Sequence, residues 1–421
     1  MSLGFYIIMA AQFFSSLADN ALLVAAIALL IQSDAPAWLT PYLKFFFVIS
    51  YVALAPYVGA FADRLPKGQV MFVSNLIKIV GCAIMLLGVN PLAAYALVGL
   101  GAAAYSPAKY GILTEYLPPT KLVIANGWIE GLTVGSIILG TVLGGVLIST
   151  RVSGHLLGYG TPGIHTPAHA AIALIIFVYA AAAIFNLYVP RTGVALKPLP
   201  ADPTETLRDF YHCCRRLWTD KLGQISLTVT TLFWGAGATL QFIVIEWARA
   251  ALDYNLSRAA ILQGVVAVGI ALGAVLASMR VSLDRAVRVI PLGIGMGLVI
   301  IVMIFVDDAR IAIPLLIVIG ALAGYFVVPM NALLQHRGHN LMGAGRSIAV
   351  QNFNENLSIL VMIAVYSALL GAGLSIYTVI VIFGLFVAST MTLVLLWYRR
   401  NRRVHQVEIE ALLEIARSEK H

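Results

Sequence analysis

Charge is scarce in this sequence. Asp, Glu, Lys and Arg make up 11% of its 421 residues against 60% hydrophobic residues, too little charge to cover a water-soluble chain of this length. Cysteine is scarcer still, and Cys82, Cys213 and Cys214 offer neither a disulfide framework nor a metal-ligand spacing. Also missing are a GxSxG elbow, a phosphate-binding loop and an HExxH pair, so hydrolysis and nucleotide use have no visible site and no enzyme or cofactor chemistry is expected. The net charge of +8 comes without a basic face interleaved with aromatics, which argues against nucleic acid as a partner.

What fills the sequence is long apolar segments separated by short loops rich in Gly, Pro or charge. A helix needs about 20 apolar residues to cross a hydrocarbon core of about 30 Å. By hydropathy the spans fall near 4–32, 40–62, 69–89, 92–115, 122–149, 168–189, 223–248, 258–279, 288–306, 311–334, 344–370 and 374–398. The expected fold is therefore an all-α membrane protein of about twelve transmembrane helices. The first apolar stretch is too long for a signal peptide, lacks a basic flank and carries Asp19 and Asn20, so it reads as a span. With the N-terminus placed in the cytoplasm, about 20 of the 27 Lys and Arg residues fall inside, among them Lys67 and Arg337 in the loops, which predicts that both termini are cytoplasmic. Cys213 and Cys214 then face a compartment where thiols stay reduced.

One segment breaks the rhythm of short loops. Residues 191–221 contain LKPLPADP and then TLRDFYHCCRRLW, whose Leu207, Phe210, Tyr211, Cys214 and Leu217 follow helical spacing. This is an amphipathic linker between a six-helix half over 1–190 and a second over 222–398, followed by a tail over 399–421. Two parallel six-helix halves are a common transporter layout. The halves echo one another weakly: Pro107 precedes Asn126–Glu130 as Pro329 precedes Gln351–Glu355. The tail carries apolar residues at 404, 407, 409, 412, 413 and 415, a pattern suited to the membrane surface or to a partner.

Polar residues inside the spans are the functional signal, because a charge at mid-bilayer costs at least about 2.5–3.5 kcal/mol and normally faces a cavity or a partner. Span one carries Gln12, Ser15, Ser16 and Asp19 at helical spacing, with Asn20 adjacent. Span three offers Ser74, Asn75 and Lys78; span four offers Tyr105 and Lys109; span five offers Asn126, Glu130 and Thr133. Span seven places Trp234 and Gln241 on one face, with Glu246 and Arg249 near its outer end as a gate or interfacial pair. Span eleven concentrates Arg346, Ser347, Gln351, Asn352, Asn354, Glu355 and Asn356. Two readings stay open: a polar path for a headgroup, or ion pairs and amide bonds that only hold helices together. Lys109 suits snorkelling as well as ligand contact. His155, His165 and His169 gather near one outer loop, where a solvated loop is the expectation rather than a metal site.

Two sets of motifs then narrow the class. The segment GAFADRLPKG, with Gly59, Asp63 and Arg64, resembles the loop signature of the major facilitator superfamily, in which acid and base lock helix ends on the cytoplasmic side. In the second half the corresponding GAVLASMR keeps Gly273 and Arg280 but has Ala277 at the acid position. The strings QFFSSLADNALL, GLGAAAYSPAKYGIL, ANGWIE, LFWGAG, VVPMNALLQHRG and GAGRSIAVQNFNEN resemble the bacterial lysophospholipid transporters of that superfamily, from span one to span twelve. The resemblance implies flipping of lysophospholipids such as lysophosphatidylethanolamine from the outer to the inner leaflet of the bacterial inner membrane. There a separate acyltransferase/acyl-carrier-protein synthetase restores the second chain. It implies polar sites at Asp19, Lys78, Lys109, Asn126, Glu130 and Glu355. That family often has Arg after the Thr-Leu that follows the FWGAG segment; this chain has Gln241, so Lys78 or Arg346 would supply the cation. The alternative on the same fold is an exporter of a drug or metabolite.

Overall fold

In lipid the backbone has no water to bond to, so apolar runs of this length have one economical solution, the helix. The computed structural model describes residues 2–33, 40–158, 165–198, 202–254 and 256–417, and among them there is no strand. The helices are α1 (Leu3–Gln32), α2 (Thr40–Ala53), α3 (Ala55–Arg64), α4 (Lys67–Leu86), α5 (Pro91–Tyr116), α6 (Leu122–Ile148), α7 (Thr150–Gly158) and α8 (Pro167–Leu187). They continue as α9 (Pro203–Thr219), α10 (Gly223–Ala251), α11 (Leu256–Arg280), α12 (Ile290–Val302), α13 (Ala309–Met342), α14 (Ala344–Gly371), α15 (Ile376–Val404) and α16 (Gln406–Arg417). Starts and stops follow local chemistry. Thr166 caps α8 by accepting from the His169 N–H at 3.3 Å, with Pro167 in the first turn. Gly343, at φ +94°, makes the one-residue turn from α13 to α14, a conformation that side chains rarely adopt.

Ten helices are long and apolar enough to cross a membrane alone, and the bent pair Leu43–Ala53 with Ala55–Arg64 brings the number to eleven among the described residues. The remaining predicted span is α5, 26 residues long, whose apolarity is diluted by Gly99, Gly101, Tyr105, Ser106 and Lys109. It packs against α2, α3 and α4 instead of lipid, so it needs less apolar surface.

Several expectations change. The second span is not one helix over 40–62: it bends by 65° between Ala53 and Ala55, where Pro56 in the first turn of α3 withholds a donor. The Gly59–Arg64 signature lies on α3, with only Leu65 and Pro66 before α4, and so is not a loop. The tenth span runs on to Met342, which leaves Arg337, read above as a loop charge, 4% exposed. The linker helix exists but is rotated from its expected register: Thr206, Cys213 and Leu217 are buried, while Leu207 and Tyr211 are exposed. Burial pushes the Cys214 thiol up to about 12, so it stays protonated at neutral pH. The tail helix α16 packs on the protein itself. Ile409 and Ala416 are buried, it touches residues 119–121 and 283–289, and Arg417 donates to Asp284 at 2.9 Å.

The chain packs as two compact units, neither of which is a run of consecutive spans. One comprises the described residues of Met1–Tyr116, Gly135–Tyr211 and Gly343–Asn352. The other comprises those of Leu117–Val134, His212–Met342 and Phe353–His421. The first unit therefore holds the opening turns of α14, and the second the opening turns of α6. Within the first unit, α1, α4, α5 and α8 enclose a core that includes Ala18, Leu22, Ala25, Met85, Val98, Ile172 and Tyr179. In the second, α11 and α13 approach closely because Gly269 and Gly273 face Gly320 and Gly324, the small-residue pairing of lipid-embedded helices.

A Cβ at Gly269 would sit 2.5 Å from the Ile317 carbonyl oxygen, whereas one at Gly264 on the same helix would meet nothing within 4 Å. Gly269→Val is therefore expected to cost about 1–3 kcal/mol by overpacking. Thermal unfolding in detergent should show a lowered Tm for it and an unchanged one for Gly264→Val; equal values would contradict the close α11–α13 contact.

Candidate functional site

In the first unit the polar faces of α1, α4, α5 and α8 meet at one lysine. Lys78 on α4 is fully buried, and its Nζ donates to both carboxylate oxygens of Asp19, at 2.8 and 2.9 Å, and to the Ser15 hydroxyl at 3.1 Å. Tyr179 on α8 donates its phenolic proton to the same carboxylate at 2.7 Å. Ser15 in turn donates to the Asn75 amide oxygen at 2.8 Å. The Tyr105 and Tyr179 rings lie 4.9 and 5.5 Å from the ammonium, near enough for their negative faces to help hold the charge. Gly101 on α5 makes room for the lysine stem: a Cβ there would lie 2.7 Å from Lys78 Cγ. The Asp19 side chain keeps 22% of its surface exposed while that of Lys78 keeps 1%, so the carboxylate is the approachable partner. Two turns along α1 from Asp19, Gln12 is buried with neither amide atom bonded. Asn20 donates to the Ser16 carbonyl of its own helix at 2.8 Å.

A second cluster gathers at the end of α3. Asp63 accepts from the backbone N–H groups of Gly345 and Arg346 at 2.7 and 3.1 Å, which places a carboxylate at the positive end of α14. Lys67 reaches Asp63 at 3.0 Å and Glu115 at 3.1 Å, and Glu115 accepts from Thr192 at 2.9 Å. Arg346 closes the cluster with Asp63 at 3.3 Å and Asp209 of the linker helix at 2.6 Å. Glycine permits the approach, since a Cβ at Gly59 would meet Ala349 at 2.6 Å and one at Gly345 would meet Asp63 at 2.5 Å. Arg64 of the signature is exposed, and the bases that meet Asp63 are Lys67 and Arg346. Arg346 is thus engaged at this end, apart from Lys78. Near α14, still within the first unit, Asn352 donates to Ser106 at 2.9 Å.

The second unit relies on amides more than charge. Asn126 on α6 and Gln335 on α13 exchange two hydrogen bonds, at 2.9 and 3.0 Å, and both are buried. Glu130 lies one turn along α6 at 5% exposure, and Glu355 of α14 is at 6%. Arg337 makes a two-pronged pair with Asp220 at 2.5 and 3.1 Å, and Asp220 also caps α10 through the Gly223 N–H at 2.7 Å. That acid, outside the GAVLASMR segment, is the one that meets a buried arginine here. Trp234 is half-buried with its indole N–H unbonded, whereas Gln241 is exposed and its carbonyl accepts from Gln263 at 2.9 Å. Glu246 and Arg249 form an exposed pair at 3.3 Å. In the first unit Lys109 is half-buried with its ammonium 4.7 Å from the Tyr110 ring, and Gln351 is buried. His165 and His169 stack edge to face at 6.3 Å, while the side chain of His155 lies outside the described residues.

Sequence reasoning did not single out Tyr179, Glu115, Asp209, Asp220 or Gln335, and it counted Lys67 as a loop charge. Tyr179 had a usable signal, a lone phenol in the run ALIIFVYAAAAIF whose hydroxyl must find a partner in lipid.

The helices hide their charges in pairs and present amides to one another, as polar groups within membrane-spanning helices must. The chain belongs to the major facilitator superfamily, whose family model matches residues 8–361. It is 42% identical over 367 residues, 87% of this chain and 86% of theirs, to proteins called lysophospholipid transporter LplT from Yersinia pestis and Yersinia pseudotuberculosis. The fold is also that of the Escherichia coli fucose:proton symporter, at TM-score 0.71 and 13% identity over 94% of this chain and 97% of that one. The human organic anion transporter MFSD10 superposes at TM-score 0.70 and 13% identity, covering 93% and 100%.

Removing one partner of a buried ion pair costs about 3–5 kcal/mol, because the other charge is stranded. Asp19→Asn alone should therefore lower the Tm in detergent by more than Asp19→Asn with Lys78→Met, in which no charge remains. A double variant less stable than the single would refute the pair as the controlling interaction.

Proposed function

We propose that this protein is a lysophospholipid transporter that moves its substrate from the outer to the inner leaflet of the bacterial inner membrane. The observation that carries this reading is the 42% identity over 87% of the chain with proteins named for that activity. The Lys78–Asp19–Tyr179 cluster supports it chemically. A phosphodiester competes for the ammonium, and an ethanolamine amine for the carboxylate, so a zwitterionic headgroup can replace the internal pair without leaving either charge unmatched. Asp19, with its exposed flank, is the group the headgroup meets first. Asn20, Lys109, Asn126, Glu130, Trp234, Gln241, Arg346, Gln351 and Glu355 are proposed as further members of the polar path, with Gly59, Asp63 and Arg64 as the gate signature.

On this reading, residues 1–190 and 222–398 act as two six-helix halves that rock about the headgroup while the acyl chain stays in lipid. The positive-inside bias puts both termini and the Asp63 cluster on the cytoplasmic side. That cluster then closes the inner end, and substrate passage requires α14 to leave Asp63. With Gln241 exposed and uncharged, Lys78 is the cation for the phosphate. The product, delivered to the inner leaflet, suits a separate acyltransferase/acyl-carrier-protein synthetase that restores the missing acyl chain.

Proteoliposomes loaded with labelled lysophosphatidylethanolamine in one leaflet test this directly. The unmodified protein should accelerate flipping, and Lys78→Ala should slow it by about tenfold or more, equivalent to ~1.4 kcal/mol of lost headgroup contact. Unchanged flipping in well-expressed Lys78→Ala and Asp19→Asn proteins would remove these residues from the path. Efflux of soluble solutes with indifference to lysolipid would assign the chain to the exporters instead.

A further inference from the structure

The outer face of the linker helix carries a residue pattern for which the proposed polar path has no use. α9 buries the stripe Thr206, Cys213 and Leu217 against the protein. Beside that stripe runs a row of apolar and aromatic residues left open: Leu207 at 49%, Tyr211 at 64% and Trp218 at 37% exposure. Next around the helix come Arg208 and Arg215, seven residues apart and both exposed, with Arg216 further round. A helix surrounded by bulk water has no use for an exposed row of Leu, Tyr and Trp. One lying in a bilayer interface requires that order: packed stripe, apolar row, basic row.

The position of the helix fits the same surface. Only Asp220, Lys221 and Leu222 separate α9 from α10, a membrane-crossing helix that begins at Gly223. Trp218 therefore stays near the level at which that span enters the bilayer, where tryptophan is favoured. The charge balance selects the partner. Asp209 is engaged by Arg346 at 2.6 Å, which leaves Glu205, in the first turn, as the acid on the open side of α9, against three exposed arginines.

We propose that this face of α9 docks on the adjoining leaflet by inserting Leu207, Tyr211 and Trp218 among the headgroups while Arg208, Arg215 and Arg216 bind anionic phospholipid. Because the same helix holds Arg346 through Asp209, the docked helix also ties the Asp63 cluster to the membrane surface. This inference needs only that the chain spans a membrane, so it stands or falls separately from the lysolipid reading.

The test uses the full-length protein in nanodiscs of phosphatidylcholine with increasing phosphatidylglycerol. A bimane probe is attached at Leu207→Cys, with Cys82, Cys213 and Cys214 each replaced by alanine. Rising phosphatidylglycerol should shift bimane emission to the blue and protect it from aqueous iodide. The combined Arg208→Gln, Arg215→Gln and Arg216→Gln variant should need at least about fivefold more phosphatidylglycerol for the same protection. A monodisperse elution profile and an unchanged Tm establish that the variant is folded. An equal response in the arginine variant, or protection already complete in phosphatidylcholine, would overturn the anionic partner. Iodide access that phosphatidylglycerol never alters would overturn membrane docking and leave a protein partner as the occupant of this face.

Discussion

A lysine ammonium with no water around it governs the first unit. In hydrocarbon an unpaired charge is expelled or neutralised, so Lys78 can remain on α4 only while Asp19, Ser15 and the rings of Tyr105 and Tyr179 surround it. This requirement brings together four helices from distant parts of the chain. It explains why α5 has glycine at 101, where a Cβ would strike the lysine stem, and why α8 places a phenol within an otherwise apolar run. The pair does not close the site completely, because the aspartate retains an exposed flank. A buried ion pair contributes little net stability compared with an apolar replacement, and on the proposed reading this one is there to exchange with a charged headgroup.

The same constraint is met differently elsewhere. At the end of α3 one carboxylate serves two bases and the first N–H groups of α14, an arrangement that is strong only while the helix end stays in place. In the second unit the buried contact of α6 with α13 is a reciprocal amide pair, which satisfies four polar atoms with no charge to compensate. Charge-assisted bonds respond to a competing ion; neutral amide pairs respond mainly to displacement. Both kinds of contact occur in the second unit, which also holds the buried Arg337–Asp220 pair.

Family membership and fold carry different weight. Solved structures of superfamily members superpose well at 13% identity, which speaks for the shared arrangement of helices and nothing about cargo. The relatives at 42% identity match 87% of this chain and 86% of their own length, and the cargo proposed for this chain is taken from their name. Gln241 is exposed and uncharged, so on the proposed reading the cation for the phosphate is Lys78.

Hydrophobic length determined the spans, since the cost of leaving backbone groups unsatisfied in lipid is the same wherever a helix packs. Asp19, Lys78 and Glu130 were legible for a related reason: a charge inside a span is conspicuous however it is paired. The sequence by itself also placed Gly59 and Asp63 in a recognisable signature, because close helix approach and an acid at a helix end need particular residue types. Tertiary structure decided the partners. A Lys78–Asp19 contact could be expected from two opposite charges in one half, but nothing local shows that Tyr179 joins them, that Asn126 meets Gln335 across 209 positions, or that Arg346 turns to Asp63 and Asp209. Lys67 and Arg337 looked like solvated loop charges because a helix running past its apolar run leaves no trace in hydropathy, yet each is buried against a carboxylate. The bend at the second span and the rotated face of α9 belong to the same class. Both depend on which neighbours a helix packs against, and chain separation hides those neighbours from any local pattern.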